Sequence, residues 1–161
     1  MEEAGLNDGK FSKYFLMTGY FRHHDENYLE SNNEYRKLIG KLLYVNTNTR
    51  PDIAASVGIL SQKISKPTKT DLIEARRIIR YLNGTKNLSL MLSDKKKVGE
   101  VEVYSDASWA EDSLDRKSIS GFLCGINGGV ASWCSRKQDV VSLSSIEAEY
   151  IARSESCKEI K

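Results

Sequence analysis

Net charge is nearly absent from this chain: 24 Lys and Arg against 22 Asp and Glu leave +2 at pH 7. That balance excludes a strong global field drawing in nucleic acid, although a local basic strip could still do so. Cysteine is scarce. Cys124, Cys134 and Cys157 form an odd set without metal-ligand spacing, which points to reduced thiols in an intracellular protein. Cys124 and Cys134 could face each other across a hairpin, but buried free thiols are the preferred reading. Histidine is limited to His23 and His24. With Asp25 they invite a metal reading, yet no third ligand is in view and a solvated surface is expected. No apolar run approaches the roughly 20 residues of a membrane span. The N-terminus, Met1-Glu2-Glu3-Ala4, is too acidic and polar for a secretory signal. The expected location is the cytoplasm or nucleus, with no membrane partner. No internal repeat is visible.

What is present is a globular balance of 40% apolar and 29% charged residues over 161 positions, enough for one ordinary domain or two small ones. Residues 1–33 read as an irregular arm with one apolar cluster at Tyr14, Phe15, Leu16 and Met17. Over residues 34–47, Tyr35, Leu38, Ile39, Leu42 and Leu43 have helical spacing. Thr49, Pro51 and Asp52 read as a capping box opening a helix from about Arg50 to Ile64. Pro67 breaks the chain. Thr68 and Asp71 repeat the box, and a third helix runs to Asn83 with Gly84 as its stop. Its apolar positions are Leu72, Ala75, Ile79 and Leu82, with Arg76, Arg77 and Arg80 on or beside the opposite face. Those arginines could track phosphates, but a plain solvated face is preferred. Residues 87–93 suggest a short strand, and the charged run at 94–97 a turn. The expected organisation is an arm at 1–33, a helical segment at 34–94 and a β-rich part at 95–161.

In the β-rich part, Val101 and Val103 alternate with Glu102 and Tyr104 as in a half-buried strand ending near Asp106. Residues 118–126 give a second strand, Asn127-Gly128-Gly129 a hairpin turn, and residues 130–135 a third strand with Trp133 packed. Arg136, Lys137, Gln138 and Asp139 form a polar exit. Ser144 and Glu147 then make a capping box that starts a helix. The fold class is α+β: helices followed by a three-stranded antiparallel sheet with one covering helix. Glu147 and Glu149 point about 200° apart on that helix, so only one can face Asp106. Glu147 has the cap to serve, which leaves Glu149. Two converging carboxylates could hold a hard cation such as magnesium. Equally, Glu149 could pair with Arg153 at i+4, and spacing alone favours that plainer reading.

From Glu34 onward the chain resembles the C-terminal part of a copia-type retrotransposon Pol polyprotein. The run from Tyr35 to Tyr44 is similar to a helix after the reverse transcriptase palm. Thr49-Arg50-Pro51-Asp52-Ile53-Ala54 and the stretch from Ala75 to Thr85 are similar to two further motifs of the family. Ser105-Asp106-Ala107-Ser108-Trp109-Ala110, the segment from Asp115 to Gly121 and the segment from Leu143 to Ala152 resemble the opening of its ribonuclease H domain. Together these motifs cover about three quarters of the chain. The resemblance implies magnesium-dependent hydrolysis of RNA in an RNA–DNA hybrid. On it, Asp106 and Glu149 match two catalytic metal ligands, and Ser144 and Ser145 fall where the hybrid is contacted. Arg136 and Lys137 are added as a basic strip for nucleic acid.

The chain departs from the family after Lys161, where a fourth strand and two later aspartates would follow. Weak magnesium binding and no nuclease activity are therefore expected of the isolated chain. Its first strand is expected to be an open edge, available for self-association. The rival expectation is a non-catalytic nucleic-acid-binding or interaction module retained by a host, or a remnant of a decayed element.

Overall fold

A computed structural model describes residue 20 and residues 25–92, 99–112 and 115–159. The apolar cluster at Tyr14–Met17, the pair His23 and His24, and the charged run at 94–97 lie outside the described residues. The chain divides into two compact units, residues 1–48 with 56–88, and residues 49–55 with 89–161.

In the first unit, α1 (Asn33–Thr49) forms where Tyr35, Leu38, Ile39 and Leu42 recur at helical spacing, and all four are buried. The Tyr35 hydroxyl donates to the Leu60 carbonyl at 2.7 Å, and burial pushes its pKa up. Helix α1 runs further than expected and takes in Thr49, which closes this helix where it was expected to open the next. Arg50, which belongs with residues 49–55 to the second unit, precedes a single 3-10 turn, Pro51–Ile53, with no side-chain cap. The Asp52 carboxylate accepts two bonds from the Arg50 guanidinium, at 2.9 and 2.7 Å, and is held there. The helix expected over residues 50–64 is accordingly the 3-10 turn followed by α2 (Ala54–Ser61). The Ser61 hydroxyl donates back to the Gly58 carbonyl at 2.6 Å, and turns follow over residues 62–65.

Helix α3 (Lys69–Gly84) opens on the expected capping box. Thr68 Oγ1 accepts from the Asp71 amide at 3.2 Å, and Asp71 Oδ2 accepts from the Thr68 amide at 2.7 Å. Two more groups join this end. Tyr20 donates its hydroxyl to Asp71 Oδ1, and Asp25 Oδ2 accepts from the Thr70 hydroxyl at 2.6 Å. The Thr70 bond, helped by Asn27, lowers the Asp25 pKa to about 2. The buried stripe of α3 is Asp71, Glu74, Ala75 and Ile78, so it is rotated from the expected Leu72, Ala75, Ile79 and Leu82. Leu72, Ile79 and Leu82 are half-buried. The rotation is possible because the two buried acids have partners: Asp71 through its cap, and Glu74 through Arg77 at 3.1 Å. Arg76 pairs with Glu34 at 2.5 Å. Two of the three arginines on this helix thus serve ion pairs within the unit.

The chain as a whole is α+β, as expected, and the second unit holds its sheet. Its strands β1 (Val101–Ser108), β2 (Ile119–Ile126) and β3 (Gly129–Lys137) form an antiparallel meander in the order β1-β2-β3. Residues 87–92 form no strand. The backbone at Met91 and Leu92 instead lies against Gly129, where an added Cβ would come within 2.8 Å of the Leu92 carbonyl carbon. Asn127 and Gly128 close the β2–β3 hairpin with φ values of 53° and 80°, the two-residue turn with both central residues left-handed that suits the strand twist. Asn127 Oδ1 also accepts from the Gly99 amide at 2.7 Å. Helix α4 (Ser145–Glu159) packs on β1 and β2. Its buried residues Ala148, Ala152 and Ser156 recur every fourth position, and their small size lets the helix approach the sheet closely. The cysteines are free: Cys124 buried, Cys134 half-buried and Cys157 exposed. Cys124 pairs with Ser132, and Cys134 with Phe122, so the two thiols are diagonal to each other and not directly opposite.

Replacing Gly129 by Ala is expected to destabilise the chain by about 1–3 kcal/mol, because backbone and not a flexible side chain must move. Gly40→Ala, in α1 with nothing within 4 Å of the new Cβ, is expected to stabilise by about 0.5–1 kcal/mol. Urea midpoints of the two variants test the contrast. The low Asp25 pKa gives a second expectation. A carboxyl whose folded pKa lies below its unfolded value of about 3.9 contributes stability above that value and loses it as pH falls through about 2. Wild type should therefore exceed Asp25→Asn in unfolding free energy at pH 7, with the gap closing between about pH 4 and pH 2.

Candidate functional site

Of the candidates, Asp106 lies on β1, Glu149 and Ser145 on α4, which packs on β1, Ser144 just before α4, and Arg136 and Lys137 on β3. Strand β1 continues to Ser108, so Asp106 is not at the strand terminus expected from the alternation. It sits within the strand, paired with Gly121, and it is exposed. Ala107, the next residue, pairs with Ser120. Its amide donates to Glu149 Oε1 at 3.4 Å. The structure thus brings the Glu149 carboxylate from α4 to the backbone beside Asp106. Glu149 is half-buried.

Ser144 caps α4 by accepting from the Glu147 amide at 3.1 Å. The Glu147 carboxylate reaches one residue further back than a capping box requires and accepts from the Leu143 amide at 2.7 Å. Glu147 thus stays at the helix start, with that one change of partner, while Glu149 reaches the strand. Ser144 and Ser145 are both exposed at the start of the helix.

The basic strip is less free than its sequence suggests. Arg136 pairs with Glu155 of α4 at 2.9 Å, and that bond raises its pKa. Lys137 meets Asp112 at 2.5 Å and Asp115 at 2.9 Å. Burial works against its charge, but the two carboxylates outweigh burial and raise its pKa. The Asp115 carboxyl is lowered in turn: burial opposes this, and the Lys137 bond overcomes it.

The residue that the sequence left unmarked is Gln138. It is 1% exposed, and each polar group of its amide is used. Its Nε2 donates to Ser120 Oγ at 2.9 Å and to the Ala148 carbonyl at 2.9 Å. Its Oε1 accepts from the Ser142 hydroxyl at 2.8 Å, and its backbone amide donates to the Ser118 carbonyl at 2.8 Å. The indole of Trp109 donates to the Ser142 carbonyl at 3.1 Å. Within a run that reads Arg-Lys-Gln-Asp, nothing distinguishes this glutamine from a solvated one. The first unit also holds an open cleft of about 520 Å³ between residues 28–33 and 65–67, and no candidate from the sequence lines it.

A secreted RxLR effector protein of Plasmopara viticola is 43% identical to the chain over 125 residues, which are 78% of this chain and 87% of that protein. The retrovirus-related Pol polyprotein from transposon TNT 1-94 of Nicotiana tabacum is 40% identical over 126 residues, and that from transposon RE1 of Arabidopsis thaliana 43% over 117. The chain belongs to one family with the Plasmopara viticola protein, and it is similar to retrovirus-related Pol polyproteins of plant transposons. It matches 78% and 73% of its own length to the two polyproteins, but spans only 9% and 8% of theirs. No protein-family model matches the chain, and no solved structure does. Among the described residues no helix is long and apolar enough to cross a membrane.

Proposed function

We propose that this Pol-related chain corresponds to the helical connection after a copia-type reverse transcriptase followed by the opening half of a ribonuclease H domain. Its ancestral chemistry is then hydrolysis of RNA in an RNA–DNA hybrid. The observation that supports this reading is the Glu149 contact with the Ala107 amide, which sets a helix carboxylate beside the strand backbone that follows Asp106. The Asp106 and Glu149 carboxylates are both hard oxygen donors. Magnesium is commonly held by one or two carboxylates, with water and substrate phosphates completing its shell. Asp106 and Glu149 fit that cation in chemical type. In number they suit a weak site, because among the described residues no three His, Cys, Asp or Glu converge.

Magnesium bound there would supply Lewis acidity at a phosphoryl oxygen. Asp106 and Glu149 are the residues that would hold the cation. Ser144, Ser145 and the amides of the first turn of α4 offer donors to the hybrid backbone. Arg136 and Lys137 contribute at the rim, their charge partly neutralised by Glu155, Asp112 and Asp115. With two carboxylates, these 161 residues bind magnesium and hybrid weakly and do not cleave. The test is a hybrid-cleavage and binding assay in magnesium, with Asp106→Asn as control. Expected is no cleavage, with salt-sensitive binding that magnesium strengthens and Asp106→Asn weakens several-fold. Cleavage that disappears in the control would overturn the inactivity, and binding indifferent to both magnesium and Asp106 would overturn the site.

A second reading, association of two copies through β1, is favoured by the position of that strand at the end of the β1-β2-β3 order. Sedimentation equilibrium should then show a concentration-dependent dimer, which Val103→Pro suppresses. A monomer at all concentrations removes this reading.

A further inference from the structure

We infer that Gln138 is the positioning residue that fixes Glu149 relative to Asp106. The inference rests on the reading of those two carboxylates as one site. A closed circuit of contacts carries it. Gln138 Nε2 binds the carbonyl of Ala148, the residue before Glu149. The same nitrogen binds Ser120 Oγ, and Ser120 is the cross-strand partner of Ala107. Ala107 follows Asp106 and donates its amide to Glu149 Oε1. One side chain therefore links both halves of the site through residues adjacent to each candidate ligand.

A second arm reaches the same strand by another route. Gln138 Oε1 holds the Ser142 hydroxyl, and the Ser142 carbonyl holds the Trp109 indole just beyond the end of β1. The two arms fix both the height of α4 over the sheet and the path of the segment leading into it. Gln138 is suited to this because a neutral primary amide offers two donors and an acceptor in one plane. At 1% exposure, with its polar groups satisfied, it has no alternative partner in water to swing towards. A side chain of the same length without those groups would leave the Ser120 and Ser142 hydroxyls buried without this partner.

Such an outer residue acts through the ligand it orients, and losing one commonly weakens metal affinity about 10-fold or more. The experiment is nuclear magnetic resonance on the full 161-residue chain, with manganese(II) as the probe cation. Wild type, Gln138→Met and Ser120→Ala are compared at a temperature where circular dichroism shows each folded. Two quantities are read: the apparent manganese affinity from line broadening at Asp106, Ala107 and Glu149, and hydrogen exchange at the Ala107 amide relative to the β2–β3 amides.

In Gln138→Met the affinity is expected to fall about 10-fold, and Ala107 exchange to rise well beyond the general change in β2–β3. Ser120→Ala, which removes one bond, should move both readouts in the same direction by less. It keeps the question answerable if Gln138→Met does not fold. If either folded variant is merely less stable, with affinity within about twofold of wild type and Ala107 exchange tracking β2–β3, Gln138 is structural and the inference is overturned. If wild type itself shows no localised broadening, the metal reading of Asp106 and Glu149 fails. The Ala107 exchange still judges whether Gln138 places Glu149.

Discussion

The amide of Gln138 is the contact on which the second unit depends. A three-stranded meander has one helix to cover it, and that helix is poor in large buried side chains: Ala148, Ala152 and Ser156 face the sheet. Small residues bring the helix close but bury little apolar area, so hydrophobic contact alone specifies the height and phase of α4 weakly. A buried polar group with demanding geometry supplies the missing specification. Gln138 accepts one placement of Ser120, Ser142 and the Ala148 carbonyl, and any slip of α4 along the sheet would break bonds inside a dry interior. Because the Ala148 carbonyl belongs to the helix, fixing it also fixes the direction in which Glu149 leaves.

The first unit solves a related problem at a helix end. The start of α3 gathers Thr68, Asp71, Asp25 and Tyr20 around amides that have no partner inside the helix. Asp71 can be buried because it accepts from the Thr68 amide and the Tyr20 hydroxyl. In both units a polar cluster, and not a larger apolar face, decides how a helix is seated.

How far the sequence could be read follows from the same physics. Local rules were legible. Helical spacing at Tyr35, Leu38, Ile39 and Leu42, the box at Thr68 and Asp71, the turn at Asn127-Gly128 and the cap at Ser144 each involve residues a few positions apart. The errors came where distant or competing partners intervene. Asp52 looked like a cap acid, but the Arg50 fork takes its carboxylate. Residues 87–92 had the alternation of a strand, but the backbone at Met91 and Leu92 lies against Gly129 without entering the sheet. The buried stripe of α3 turned away from Leu72 because Asp71 and Glu74 found partners that periodicity does not reveal. At the candidate site, Asp106 and Glu149 were marked by residue type and by resemblance to the Pol family. Gln138 was invisible, since its importance lies in contacts made 10 and 18 positions away.

Those intervals have a consequence for chain entropy. Ala107 and Glu149 meet across 42 positions, and closing such a loop in a single step carries an entropic cost that grows with the logarithm of its length. The meander divides that closure. The β1–β2 ladder brings Ala107 to Ser120, the β2–β3 hairpin brings Gln138 to Ser120, and only the 10-residue step from Gln138 to Ala148 remains for α4 to close. A carboxylate pair that looks remote in sequence is thus assembled from a series of short closures, each completed by an element already in place.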